Sequence, residues 1–200
     1  MNKSTRIILA LTLFLIAGAS TPGAAKTVEL GLTPTPVYGL WTNINKALIA
    51  YAGIRSSDKD WLNQLTLMKP EKFSGKVPSN VLGMVKQFAA RMDELDTNRT
   101  GQWTDMLLNR DLPNLLASDQ NQVTPSMVYL HSGQVLVNVA EIVLKASPTS
   151  TEISPFFQER NFTGKSPNDV YGLVDLGLRR LDEILIRQND GQLTPNPGAR

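Results

Sequence analysis

The chain holds one histidine, His131, and that scarcity makes it the first residue to weigh. Imidazole is the side chain that carries protons or binds metals near neutral pH. Ser132 stands next to it, but adjacent residues on a helix project to different faces and cannot act together as nucleophile and base. No Gly-x-Ser-x-Gly turn occurs elsewhere. The stretch "TGKS" from Thr163 ends like a phosphate loop. Glu159 stands where its first glycine is needed, however, and the related "SGKV" from Ser74 lacks the terminal hydroxyl. "DTNRTGQWTDML" opens like a calcium loop, with Asp96, Asn98, Thr100 and Gly101 at positions one, three, five and six. Its twelfth position is Leu107 instead of a bidentate carboxylate, which leaves a polar turn after a helix. Arg91-x-Asp93-Glu94 recurs as Arg180-x-Asp182-Glu183. Paired carboxylates suit acid–base work, yet Arg and Glu three apart on a helix also make an ordinary solvated pair worth a few tenths of a kcal/mol. No catalytic residue and no metal ligand is assigned.

Composition narrows the chemistry further. There is no cysteine, which removes thiolate-bound zinc, iron–sulfur clusters, covalently attached haem and thiol catalysis. Lys3 and Arg6 precede the apolar run Ile7 to Ala19, and small residues follow as far as Ala25. That order describes a cleavable secretory signal over residues 1–25 and predicts export to the periplasm or beyond. The remainder carries 18 Lys+Arg against 18 Asp+Glu. A near-zero balance with no basic run lacks the electrostatic footprint of a nucleic-acid binder. No later apolar stretch reaches 18 residues, so the exported chain is expected to be soluble, without a transmembrane segment.

The elements that must position any site announce themselves by repetition. "FSGKVPSNVLGMVKQFAARMDEL" from Phe73 and "FTGKSPNDVYGLVDLGLRRLDEI" from Phe162 agree at 10 of 23 positions without a gap. The core of the pattern, Pro-x-x-Val followed by Tyr or Leu, occurs four times, at Pro34, Pro78, Pro125 and Pro167. Thr33, Thr124 and Ser166 precede the proline as helix caps, and Val77 makes the second start the weakest. Apolar residues then recur at three and four, as in Val81, Met84, Val85, Phe88, Met92 and Leu95. Gly39, Gly83 and Gly172 share one register position and predict close helix approach; Tyr38, Tyr129 and Tyr171 share the position before it. Phe88 has Gly177 as its counterpart, so one copy is expected to fill space the other leaves.

These patterns predict an all-α fold: a pseudo-symmetric four-helix bundle of two tandem helical hairpins, with short extra helices in the connections. A single domain over residues 26–188 is expected, with halves at about 33–118 and 124–188 and a disordered tail at 189–200. Inside such a bundle His131 matches Leu40, Met84 and Leu173 of the other copies and should point inward. A core histidine is the plain consequence. An inward His131 and Met84 also make an alternative, a helical-bundle binder of a small apolar ligand or of non-covalent haem b, resembling exported four-helix b-type cytochromes in architecture but not in motif. The primary expectation is an exported, non-enzymatic helical module that binds an unknown protein or peptide partner, or serves the envelope, without a cofactor.

Overall fold

The computed structural model describes residues 31–95, 123–146, 154–158 and 160–193, and every structural statement below concerns those residues. They form five α-helices and no strand. These are α1 (Pro34–Arg55), α2 (Lys59–Leu67), α3 (Pro78–Met92), α4 (Pro125–Ala146) and α5 (Pro167–Asn189), with a short 3-10 turn at Ser154–Phe156. All four Pro-x-x-Val segments begin long helices. Leu193 is buried and Gln192 N–H donates to the Arg187 carbonyl. The segment resembling a calcium loop falls outside the described residues, as does the boundary between the halves at 118.

Local chemistry accounts for the helix starts unequally. At α5, Ser166 Oγ accepts from Asp169 N–H, and the Asp169 carboxylate accepts from Ser166 N–H at 2.8 Å, a complete capping box. Thr124 Oγ1 accepts from Met127 N–H at 3.3 Å. At α3, Asn80 Oδ1 accepts from Val77 N–H at 3.0 Å, and valine has nothing to return. Thr33 makes no side-chain cap bond, contrary to expectation; proline alone presets that start. Gly31, Gly75 and Gly164, each three residues before a proline, all take φ near +65°. That left-handed turn is open to glycine at little cost.

The long helices pack into a bundle, but the expected hairpins are not how they pack. α1 lies along α4 and α5, and α3 lies along the same two helices, so α1 and α3 occupy one diagonal. The four helices are also parallel. Pro34, Val37, Pro78, Val81, Pro125, Val128, Pro167 and Val170 line one small apolar cavity, placing all four N-termini at one end. Further along, Trp41 meets Ser132, and Arg91 meets Asp182 in like register. The reason lies in the connections. Residues 56–77, 93–124 and 147–166 separate consecutive long helices, whereas helix hairpins use about 2–8 residues. A 22-residue helix is about 33 Å long, and each connection is long enough to retrace it.

Large and small residues interlock on the bundle axis. Trp41 of α1 and Phe88 of α3, both wholly buried, meet edge to face across the diagonal at 5.0 Å. Ser132 of α4 and Gly177 of α5 leave the room: Trp41 Nε1 donates to Ser132 Oγ at 2.9 Å. A Cβ on Gly177 would lie 3.1 Å from the Trp41 ring and 3.4 Å from Phe88. Phe88 and Gly177 are thus complementary, as their register suggested. The shared glycine position has no shared purpose. A Cβ at Gly172 would sit 2.5 Å from the Glu71 carbonyl, so a connecting segment, not a helix, makes the close approach. Nothing lies within 4 Å at Gly83, and Gly39 faces only ordinary contact.

Three alanine substitutions should therefore diverge in urea unfolding. Gly172→Ala must push backbone away and is expected to lose about 2–3 kcal/mol. Gly177→Ala presses on a tryptophan locked by its hydrogen bond and should lose about 1 kcal/mol after its helix-propensity gain. Gly83→Ala should instead gain up to about 1 kcal/mol. Equal shifts for all three would refute this packing.

Candidate functional site

Residues 154–158 and 160–165 lie across α1, with a depression of its outer surface on either side. Phe162 packs edge to face on Tyr38 at 4.9 Å, and Lys165 Nζ stands 4.4 Å from the centre of the same ring. Lys165 N–H donates to Thr35 Oγ1, and Asn43 Nδ2 donates to the Gln158 carbonyl at 3.0 Å. The segment leading to α3 repeats the device on α5: Phe73 packs on Tyr171 at 4.8 Å, Lys76 Nζ lies 4.3 Å over Tyr171, and Lys76 N–H donates to Asn168 Oδ1. Tyr38 and Tyr171 are thus platforms for the two Phe-x-Gly-Lys segments, each stacked by a lysine as cation–π pairs allow.

On the α4 side of this crossing lies a depression of about 410 Å³, bordered by Gly39, Asn43, Tyr129, Phe157 and Arg160. On the α5 side is a cleft of about 370 Å³ between α1, α5 and the segment from Thr66 to Pro70. Its apolar wall comes from Ile49, Met68, Pro70, Phe162, Leu173 and Leu176. Its charged lining is wholly cationic, from Lys46, Lys69, Arg160 and Arg180. Among the described residues, the acidic side chains next in sequence to the lining, Glu71 and Asp175, turn instead to Arg179. The two threonine hydroxyls at the cleft, Thr42 and Thr66, donate to the Tyr38 and Leu62 carbonyls of their own helices. Neither is activated by a base.

Arg180 anchors the floor of the cleft. It is 6% exposed. Nε donates to the Leu65 carbonyl at 3.1 Å, one terminal nitrogen to Asn45 Oδ1 at 3.0 Å, and the other to the Thr66 and Met68 carbonyls at 3.3 Å. The guanidinium therefore closes the C-terminus of α2, where carbonyls lack helical partners and the helix dipole is negative. Asn45 completes the ring of bonds, with Nδ2 donating to the Trp41 and Leu173 carbonyls at 2.9 Å. Burial and the neighbouring Arg179 pull Arg180 below the ordinary arginine value. Sequence reasoning placed Arg180 on a solvated face beside Glu183. Its twin Arg91 does occupy such a face, paired with Glu94 and with Asp182 of α5. No sequence signal separated the two; the difference comes from α2 folding back over one helix.

His131 is buried, as its register predicted, and Met84 is half-buried at the same turn of the adjacent helix α3. The residues do not fit haem. Trp41 and Phe88 fill the axis beside them, and Trp41 is fastened to Ser132, so a porphyrin between the helices would have to displace both rings. Burial and the Lys86 charge push the His131 imidazole below its ordinary 6.5. Among the described residues no group of three or more His, Asp and Glu side chains is placed to hold a metal. No family model, curated protein or solved structure matches the chain, so its function must be read from its own geometry.

Two measurements follow. Arg180→Lys keeps the charge but loses the planar fork that reaches four acceptors, and should lower stability by about 2 kcal/mol and release α2. Unchanged hydrogen-exchange protection over 59–67 would contradict that role. For His131 the depressed pKa means the unfolded chain binds the extra proton first, so its contribution is intact above about 6.5 and lost as pH falls. The melting temperature of the parent should drop between pH 7 and 5, and His131→Leu, which copies Leu40 and Leu173, should flatten that slope.

Proposed function

We propose that this chain is an exported, soluble, non-enzymatic helical module that binds a protein or peptide partner through the cleft between α1 and α5. The observation that supports this most directly is the make-up of the cleft: a cationic mouth beside an apolar wall, with hydroxyls committed to their own helices and no adjoining base. Anchoring residues of that kind suit recognition of a partner's side chains. Export is supported by the charged, then apolar, then small-residue order of residues 1–25. Helix α4 is long and apolar enough to cross a membrane by length and composition, yet half of its residues are buried. The core helix of a soluble bundle has the same character.

We further propose that the bundle is pseudo-symmetric and arose by copying a unit of two helices and the segment between them. In a ring ordered α1, α4, α3, α5, stepping from α1 to α4 and from α3 to α5 is the same quarter turn. Supporting it, Trp41 meets its counterpart Ser132, and Phe88 meets Gly177. The segment leading to α3 packs on Tyr171 of α5, and the one leading to α5 packs on Tyr38 of α1.

A photoreactive phenylalanine analogue placed at Ile49, within the cleft, should crosslink a discrete envelope protein in the producing cell. The same analogue at Val137, exposed on α4, should not. Equal adducts from both positions, or none from Ile49, would remove the cleft as the binding surface.

A further inference from the structure

Resting on that reading, we infer that the partner presents an acidic segment: the α1–α5 cleft takes an anionic peptide whose carboxylates meet Lys46, Lys69 and Arg160 while its apolar side chains lie on Ile49, Met68 and Phe162. Charge complementarity carries the assignment. The chain outside its leader is balanced, 18 basic against 18 acidic side chains, so a lining of four cations and, among the described residues, no anion is a local segregation and not an average property. Lys69 and Arg160 are exposed and Lys46 is half-buried, which leaves their charged ends within reach of a ligand. Arg180 beneath them adds its field without offering itself, since its donors are spent on Asn45 and the end of α2.

The surroundings point to an extended ligand. Arg160 and Phe162 form the wall shared with the 410 Å³ depression on the α4 side, where Phe157 is 47% exposed. A chain running over this wall reaches an aromatic platform on one side and cations on the other. The third depression, at Phe73, mixes Glu71 and Asp169 with Lys72 and has no such bias. Opposed potentials steer encounter and suppress wrong partners, and the pairing should weaken with salt because its cations are near the surface.

A random decapeptide library displayed on phage and selected on the full mature chain tests this directly. Acidic peptides that also carry Leu, Phe or Met should dominate. The best of them, synthesised, should bind at least about 10-fold more weakly when its Asp and Glu become Asn and Gln, and again when salt rises from about 50 to 500 mM. Lys46→Glu with Lys69→Glu should abolish its binding, while Lys59→Glu, remote from the cleft, should not; circular dichroism melts confirm that both variants fold. Neutral or basic peptides winning the selection would overturn the acidic assignment and leave the binding module standing. Acidic peptides that bind Lys46→Glu, Lys69→Glu as well as the parent would overturn it too. Selection of no peptide above the matrix background would overturn both.

Discussion

Everything in this molecule follows from four helix N-termini meeting at one end. The Pro-x-x-Val turns converge so that four valines and four prolines line one small apolar pocket. Once the starts are together and the helices parallel, each connection must travel the length of the bundle before the next helix can begin. Those returns are not passive. Pro70 and Glu71 press against Gly172, α2 covers Arg180, and residues 154–158 and 160–162 cross α1. The cleft exists because two of these returns flank the same helix.

Parallel packing has an electrostatic cost that antiparallel hairpins avoid. Four aligned macrodipoles put about half a negative charge at each C-terminus, all at the same end. The sequence answers it: Arg55, Arg91, Lys145 and Arg187 each sit in the last turn of a long helix. Arg187 is stretched over the Trp61 ring at 4.7 Å and reaches Asp58, the N-cap of α2, at 2.7 Å. The hydrogen bond from Trp61 N–H, and after it the contact with Arg187, hold the Asp58 carboxyl below its usual range. One cation thus serves the end of α5 and the beginning of the return helix. α2 is fixed at both ends by arginines of α5, Arg187 at its start and Arg180 at its finish.

The helices were legible because their information is local. Proline at the first position, helical spacing of valines and leucines, and register alignment located all four starts and the Phe88–Gly177 complement. Direction was also present in the chain, in connections of 20 residues or more between helices that hairpins would join with a few. The repeat drew attention to the helices and away from the segments between them. Arg180 could not have been found that way. It stands in the same duplicated motif as Arg91, and what buries one and not the other is tertiary: a nine-residue helix present between α1 and α3. The same holds for Gly172, whose register mates Gly39 and Gly83 lack any backbone pressed against them.

Recurring and non-recurring residues are distributed unevenly over this fold. Positions that recur, Val37 with Val81, Val128 and Val170, or Tyr38 with Tyr171, build the core and the platforms that seat the returns. Some residues of the cleft do not recur. Lys46 corresponds to Ala90, Val137 and Arg179, and Asn45 to Ala89, Leu136 and Leu178. A core constrained by its own copies leaves little freedom for recognition, because a change at one place must suit its neighbour around the ring. Freedom lies in the returns and in helix faces that they shelter, where each copy meets a different neighbour. The cationic lining beside α1 is concentrated in that freer part of the chain, on a scaffold whose interior holds it rigid.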